Sequence, residues 1–214
     1  MRLSMYELKP RFQGLLRPMV QRLFSWGVTA NQVTVLACCV SVLIGLGLYA
    51  LANSQTSHTS HTVWFALVPA WMLLRMGLNA VDGMLAREHG QQSVLGAYLN
   101  ELTDVVSDAA LYLPFALIEP LQPLGVAALV LLAALSEMAG LQGLTVGAQR
   151  RYDGPMGKSD RALVFGALGL AVATLNALPA AAAWVMPVMV LLTGWTTVNR
   201  VRSGLLAAAD KGHP

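Results

Sequence analysis

The sequence predicts an all-α integral membrane protein with six transmembrane helices and cytoplasmic N- and C-termini, preceded by an amphipathic juxtamembrane helix. Three observations predict it. Of 214 residues, 56% are hydrophobic and only 12% charged, against about 25% charged in a soluble domain, which leaves too little polar surface to cover a water-soluble globule. Six stretches are apolar over the roughly 20 residues that a bilayer-crossing helix needs. Thirteen of the fourteen Lys and Arg residues fall on one side of the topology those stretches define.

Residues 1–30 form the cytoplasmic N-terminal segment. Between Phe12 and Trp26, the spacing sets Phe12, Leu15, Leu16, Met19 and Leu23 on one helical face with Arg11 and Arg22 near its borders, the pattern of a helix lying at the membrane surface. Pro18 is expected to kink or restart it. A cleavable signal peptide ending at Ala50–Ala52 fits poorly, because the polar region before it is too long and five more spans follow. The spans are Gln32–Ala52, Val63–Leu85, Leu95–Ile118, Leu124–Val146, Ala162–Leu178 and Ala181–Val198, within a six-helix domain over residues 31–203. Residues 204–214 form a cytoplasmic tail.

The cations orient this bundle. Arg2, Lys9, Arg11, Arg17 and Arg22 precede span one, and Arg87 follows span two. Arg150, Arg151, Lys158 and Arg161 lie between spans four and five, and Arg200, Arg202 and Lys211 follow span six. The positive-inside rule makes that side cytoplasmic. Arg75, inside span two, is the exception. The formal charge of +3 and the lack of a basic stripe alternating with aromatics exclude a nucleic-acid partner. Cys38 and Cys39, adjacent in an apolar run, read as packing groups. His58 and His61, in the external connector, read as solvated.

Ionisable groups in hydrocarbon are costly and mark function. The stretch "RMGLNAVDGMLAREHGQQSVLGAYLNELTDVVSD", Arg75 to Asp108, concentrates them. At a rise of about 1.5 Å per residue, Asn79 and Asp82 lie roughly 7–12 Å below the cytoplasmic boundary, and Asn100 and Asp104 roughly 10–17 Å. Spacings of three and four keep each pair on one helical face, so four oxygen-bearing side chains on antiparallel neighbours can converge. Mg²⁺ and Mn²⁺ take such oxygen ligands, often from few carboxylates plus substrate phosphates. Gly83 and Gly96 would let a phosphate approach the backbone, and Arg87 supplies a planar donor fork. The set points to metal-assisted transfer on a phosphorylated substrate. The plainer reading is a polar seam holding spans two and three together.

These residues resemble the motif of the CDP-alcohol phosphatidyltransferases, D-x2-D-G-x2-A-R-x8-G-x3-D-x3-D. Asn79, Asp82, Gly83, Ala86, Arg87, Gly96, Asn100 and Asp104 fall on it with every spacing kept. The resemblance implies an enzyme of phospholipid biosynthesis in which a CDP-linked lipid donor, typically CDP-diacylglycerol, loses CMP as its phosphoryl group passes to an alcohol. It implies one or two Mg²⁺ or Mn²⁺ ions, Asp82 as metal ligand, Asp104 as ligand and general base, and nucleotide contacts at Gly83, Arg87 and Ser93. "TANQVT" is similar to the segment that opens the family's first span, which adds Asn31 and Thr34 as donor contacts. It also implies a homodimer, in a bacterial cytoplasmic membrane with the site facing the cytoplasm.

The chain departs from the motif at Asn79 and Asn100, where the pattern has aspartates. An amide oxygen can coordinate Mg²⁺ but brings no charge, so metal affinity should fall. Asp108 and Glu101 are placed to restore charge, and Arg75, one turn from Asn79, to neutralise an acid there. In the loop before span five, Lys158 and Arg161 are either topological charges or a pocket for an anionic acceptor. Glu137 reads as a structural carboxyl, Tyr98 and Tyr112 as packing groups, and His89 as a pH-sensitive contact. "GLQGLTVG" offers small residues for close helix approach. Two rivals to the enzyme remain: a catalytically silent family member that binds lipid or an assembly partner, and a small ion- or proton-coupled transporter using Asn79, Asp82, Asp104 and Asp108 as a relay.

Overall fold

The computed structural model describes residues 5–54 and 62–210, so Arg2, His58, His61 and Lys211 lie outside the described residues. Those residues form seven α-helices: α1 Met5–Ser25, α2 Ala30–Asn53, α3 Leu67–Glu88, α4 Val94–Tyr112, α5 Pro123–Gln142, α6 Lys158–Leu175 and α7 Val185–Ala209. Short 3-10 turns at Thr62–Ala66, Leu113–Leu117 and Ala180–Trp184 adjoin α3, α4 and α7.

Beside an apolar core, polar and charged side chains are buried while many large apolar ones face outward. Ser41, Arg75, Asp82, Asp108, Ser136, Arg161, Thr193, Thr196 and Arg200 are buried, while Leu36, Leu43, Leu46, Leu131 and Leu191 are exposed. Hydrocarbon rewards that arrangement, because lipid solvates leucine and leaves buried polar groups to find partners inside the protein. The protein is an all-helical integral membrane protein. By length and composition, four segments are apolar enough to cross: Ala30–Asn53, Thr62–Glu88, Pro123–Gln142 and Ala180–Ala209. Predicted spans three and five correspond to α4 and α6. Both are charged: α4 carries Glu101, Asp104 and Asp108, and α6 opens on Lys158, Asp160 and Arg161.

Local chemistry sets the helix starts. Thr29 caps α2 in a reciprocal box with Gln32: Gln32 N donates to Thr29 Oγ1 at 3.2 Å, and Thr29 N donates to Gln32 Oε1 at 2.9 Å. Ser93 caps α4 by accepting from Gly96 N at 2.9 Å. Asp160 accepts from Gly157 N at 2.8 Å at the start of α6. Asn176, in the left-handed region at φ 60°, ends α6, two residues before the predicted Leu178.

Several expectations need correction. α1 runs unbroken through Pro18. Its buried face is Val20 with Leu16 and Leu23, packed on Val81, Met84 and Leu85 of α3, whereas Phe12, Leu15 and Met19 are exposed. The α3 contact, absent from a surface-helix argument, selects that face. Arg17 ties the same helix to Glu88 at 3.0 Å. Span four ends at Gln142 rather than Val146, because the chain folds back there: a Cβ on Gly140 would meet Arg151 O at 2.6 Å, and one on Gly143 would meet Gln149 O at 2.7 Å. The small residues of "GLQGLTVG" thus admit a returning loop, and at Gly140 also the Arg200 side chain of α7, 3.3 Å from an added Cβ.

α2 packs on α3 and α4, α5 on α7 and α4, and α6 on α3. The closest approach is at Gly45, where a Cβ would lie 2.1 Å from the Ala110 carbonyl oxygen. Backbone cannot yield as a side-chain tip does. Gly45→Val is therefore expected to destabilise the protein by about 1–3 kcal/mol, the usual range for overpacking. Gly47→Val, with nothing within 4 Å, is the control. Thermal denaturation in detergent checks the pair, and equal midpoints would refute the close contact. On the opposite side of the bundle, Tyr112 stacks on Phe165 at 3.8 Å between centroids, with Phe115 edge-on to Phe165 at 5.1 Å.

Candidate active site

The α3 and α4 helices meet through polar side chains, with α2 and α6 closing the ends. Thr34, on the first turns of α2, donates from Oγ1 to Asp82 Oδ2 at 2.7 Å, and Asp82 is buried. Asn79 Nδ2 donates to Asp104 Oδ1 at 3.4 Å. Arg75 bridges two acids, donating from Nη1 to Asp108 Oδ1 at 2.6 Å and from Nη2 to Asp104 Oδ1 at 3.0 Å. The first residue of α6, Lys158, reaches the other oxygen of Asp104. The sequence reading anticipated Arg75 beside an acid but not Lys158, because no periodicity links positions 54 residues apart.

The remaining motif residues sit near the C-terminal end of α3 and the N-terminal ends of α2 and α4. Arg87 is exposed and folds back over Gly83, whose added Cβ would meet Arg87 Nη2 at 2.9 Å. Asn31 lies over the first turn of α4: a Cβ on Gly96 would meet Asn31 Oδ1 at 2.8 Å and Ser93 Oγ at 3.0 Å. Gln91, missed in the sequence, accepts from Ala30 N at 2.7 Å and fixes the start of α2 against this corner. Ala86 packs beneath it among Val20, Val33 and Val81. Asn100 is exposed, one turn before Asp104. His89 stacks on Phe24 at 4.1 Å.

A second ion cluster backs the first. Glu137 accepts from Arg161 at 2.8 Å and lies 3.3 Å from Arg200 and 3.4 Å from Arg150. Arg161 and Arg200 are 1% and 2% exposed and also donate to Met156 O at 3.0 Å and Ser136 O at 2.6 Å. Arg200, expected as a charge beyond the last span, is instead buried inside α7. Glu101, expected to add charge near Asn100, pairs with Arg150. Burial works against the Arg150 charge, but the hydrogen bond and the negative charge of Glu101 outweigh it and hold its pKa above the ordinary guanidinium value.

Two cavities border the clusters. A groove of about 630 Å³ runs between α3 and α6. Its walls are apolar (Pro69, Met72, Leu73 and Met76 facing Leu163, Ala167 and Leu170), and its head carries Arg75, Asn79, Asp108 and Lys158. A much smaller pocket of about 20 Å³ between α4, α5 and α6 is lined by the charged Glu101, Asp104, Asp108, Glu137, Arg150, Lys158 and Arg161, with Tyr112 and the apolar Val105, Ala109, Val130, Ala133 and Ala134. Asp108 and Lys158 border both. The Tyr112 hydroxyl is buried without a hydrogen-bond partner.

Among the described residues no three His, Cys, Asp or Glu side chains cluster closely enough to hold a metal ion. Amide oxygens widen the donor set. Asp82 and Asp104 with the Asn79 and Asn100 amides offer the hard oxygens that suit one Mg²⁺ or Mn²⁺ completed by substrate phosphate.

The profile of the CDP-alcohol phosphatidyltransferase family matches residues 27–195. The chain belongs to that family. It is 43% identical over 211 residues to inner membrane protein YnbA of Escherichia coli (strain K12), covering 97% of this chain and all of that one. Archaetidylinositol phosphate synthase of Pyrococcus horikoshii is 29% identical over 113 residues, 52% of this chain and 53% of the other. The fold is that of phosphatidylinositol phosphate synthase from Mycobacterium tuberculosis. Its complex with manganese and citrate superposes with a TM-score of 0.71 at 19% identity, covering 88% of each chain. Its form with CDP-DAG bound gives 0.71 at 18% identity, covering 87% of this chain and 92% of that one. The matched residues span the whole of α2, α3 and α4, including Asn79, Asp82, Asn100 and Asp104.

Proposed function

We propose that the protein is a phosphatidyltransferase of phospholipid biosynthesis that moves a phosphatidyl or related substituted phosphoryl group from a CDP-linked lipid donor to an alcohol. The observation that carries this reading is the meeting of the apolar groove and the charge-lined pocket at Lys158 and Asp108. A lipid donor needs an apolar channel for its chains ending at cations for its diphosphate, and the acceptor needs a polar chamber on the far side of the same phosphorus. In the mycobacterial enzyme of the same fold, CDP-DAG is bound; an apolar groove that ends at cations supports a similar ligand here.

The reaction forms one bond from the acceptor oxygen to the lipid-side phosphorus and breaks the bond from that phosphorus to CMP. The acceptor proton passes to Asp104, whose carboxylate borders the pocket. Lys158 lies on Asp104 and at the head of the groove, so donor phosphate would meet a cation already held on that carboxylate. Arg87, Gly83, Asn31, Thr34, Ser93 and Gly96 frame the nucleotide end. Asp82, Asn79, Asn100 and Asp104 would hold a Mg²⁺ or Mn²⁺ ion, which when bound withdraws charge from the diphosphate. The unpaired Tyr112 hydroxyl and the wall of Arg161 and Glu137 face the acceptor.

In the bilayer α4 and α6 join the four apolar segments as spans, their charges turned inward, which gives six crossings with residues 1–30 and 204–214 in the cytoplasm. The protein works as a homodimer in the bacterial inner membrane, and cross-linking in native membranes checks that state. The catalytic reading is tested by incubating purified protein with CDP-diacylglycerol, Mn²⁺ or Mg²⁺ and a panel of alcohols, and scoring CMP. Alcohol- and metal-dependent CMP release is the expected result. No release with any alcohol, while CDP-diacylglycerol still binds, would favour a silent lipid-binding member, a reading to which the two amides lend weight.

A further inference from the structure

We infer that Arg75 and Lys158 are built-in counter-charges that stand in for a second divalent ion, so that the site holds at most one. The inference rests on the proposed donor chemistry for what those charges serve, but the ion count stands on the geometry of the acids.

Both oxygens of Asp104 are already engaged by cations or amide hydrogen. Oδ1 accepts from Arg75 at 3.0 Å and from Asn79 at 3.4 Å, and Oδ2 carries Lys158. The carboxylate that might have replaced the lost charge, Asp108, is held by the other arm of Arg75 at 2.6 Å. Glu101, the other nearby acid, is committed to Arg150. Two ions bridging between α3 and α4 would need carboxylates at positions 79 and 100, and both are amides.

Charge arithmetic agrees. Asp82, Asp104 and Asp108 supply three negative charges, Arg75 and Lys158 two positive ones, leaving one negative charge. One divalent ion turns that into a single positive charge facing a diphosphate. A second would leave three positive charges in a buried place with no free carboxylate to hold it, an arrangement that costs heavily in low dielectric. The substitutions at 79 and 100 and the presence of Arg75 are thus one adjustment. Arg75, 5% exposed, acts as a positioning residue through Asp104 and Asp108. Lys158, a third exposed along its side chain, is the cation free to meet phosphate.

The test is a Mn²⁺ titration of the full chain in detergent, followed by loss of the free-ion electron paramagnetic resonance signal, with and without CDP-diacylglycerol. One or no Mn²⁺ per chain is expected for the native sequence, and two would overturn the inference whatever the variants do. Combining Asn79→Asp, Asn100→Asp and Arg75→Leu is expected to raise the count to two. Asn79→Asp with Asn100→Asp alone, keeping Arg75, is expected to leave it at one; a count of two there would show that Arg75 excludes nothing. Lys158→Gln is expected to weaken CDP-diacylglycerol binding about tenfold at fixed Mn²⁺, the scale of one charge-assisted hydrogen bond. Unchanged binding would remove Lys158 from the donor site. Complete failure of the native chain to bind CDP-diacylglycerol would sink the catalytic reading instead, and the ion count without donor would still decide this one.

Discussion

Asp104→Asn is expected to lower CMP release by about 10²–10⁴-fold, the range that a positioned general base contributes, with little change in folding. The substitution is nearly isosteric and keeps an oxygen toward Arg75 and an amide partner for Asn79. It removes the proton acceptor at the only carboxylate that touches Asn79, Arg75 and Lys158 together among the described residues. Two motif positions are already amides, so the comparison is sharp: if the site tolerated amides everywhere, this third one would be silent. Initial rates with saturating donor, alongside thermal midpoints, check it. A variant that keeps more than a third of the native rate would show that Asp104 takes no proton and would shift the search to Asp82 or Asp108.

Glu137→Leu is expected to cost about 3–5 kcal/mol, the effect of breaking a buried ion pair from one side. Arg161 and Arg200 are 1% and 2% exposed, and Glu137 is the carboxylate both of them meet. Without it their positive charges face each other inside the protein, with only Ser136 and Met156 oxygens left as acceptors. Against a total stability of order 5–15 kcal/mol, that loss should lower the denaturation midpoint by about 6–20 °C for a chain of this size. Adding Arg161→Met and Arg200→Met should recover most of it, since a packed apolar cluster often equals the ion cluster it replaces. A single variant that melts with the native protein would mean that water, not Glu137, satisfies these arginines.

The motif was legible because its chemistry is local. Asn79 and Asp82, like Asn100 and Asp104, are one turn apart on single helices, and helical geometry alone puts each pair on one face. Caps at Thr29 and Ser93 are local too. The Lys158–Asp104 and Glu137–Arg200 pairs were not legible. Their partners lie 54 and 63 positions apart on different helices, and nothing in the spacing of either selects the other. Counting Arg161 and Arg200 as cytoplasmic-side charges gave no hint that both side chains are buried against Glu137. A long side chain can instead turn inward to a carboxylate on the neighbouring helix. The stripe on α1 divides in the structure: Leu16 and Leu23, with Val20, pack on α3, while Phe12, Leu15 and Met19 stay exposed, a split that periodicity alone does not give.

The sequence by itself determined that this is an integral membrane protein of helices, where most helices begin, and which residues on α3 and α4 form the family motif. Composition and one-turn spacing depend only on neighbours within a helix, so they survive in any tertiary arrangement. Only the tertiary structure decided that Arg75 and Lys158 clamp Asp104, that three arginines share Glu137, and that an apolar groove meets a charge-lined pocket at Lys158. Those features join α3, α4, α5, α6 and α7. Charge in a low-dielectric interior seeks whichever opposite charge the packed helices bring within reach, and that is fixed by how they cross rather than by their order in the chain.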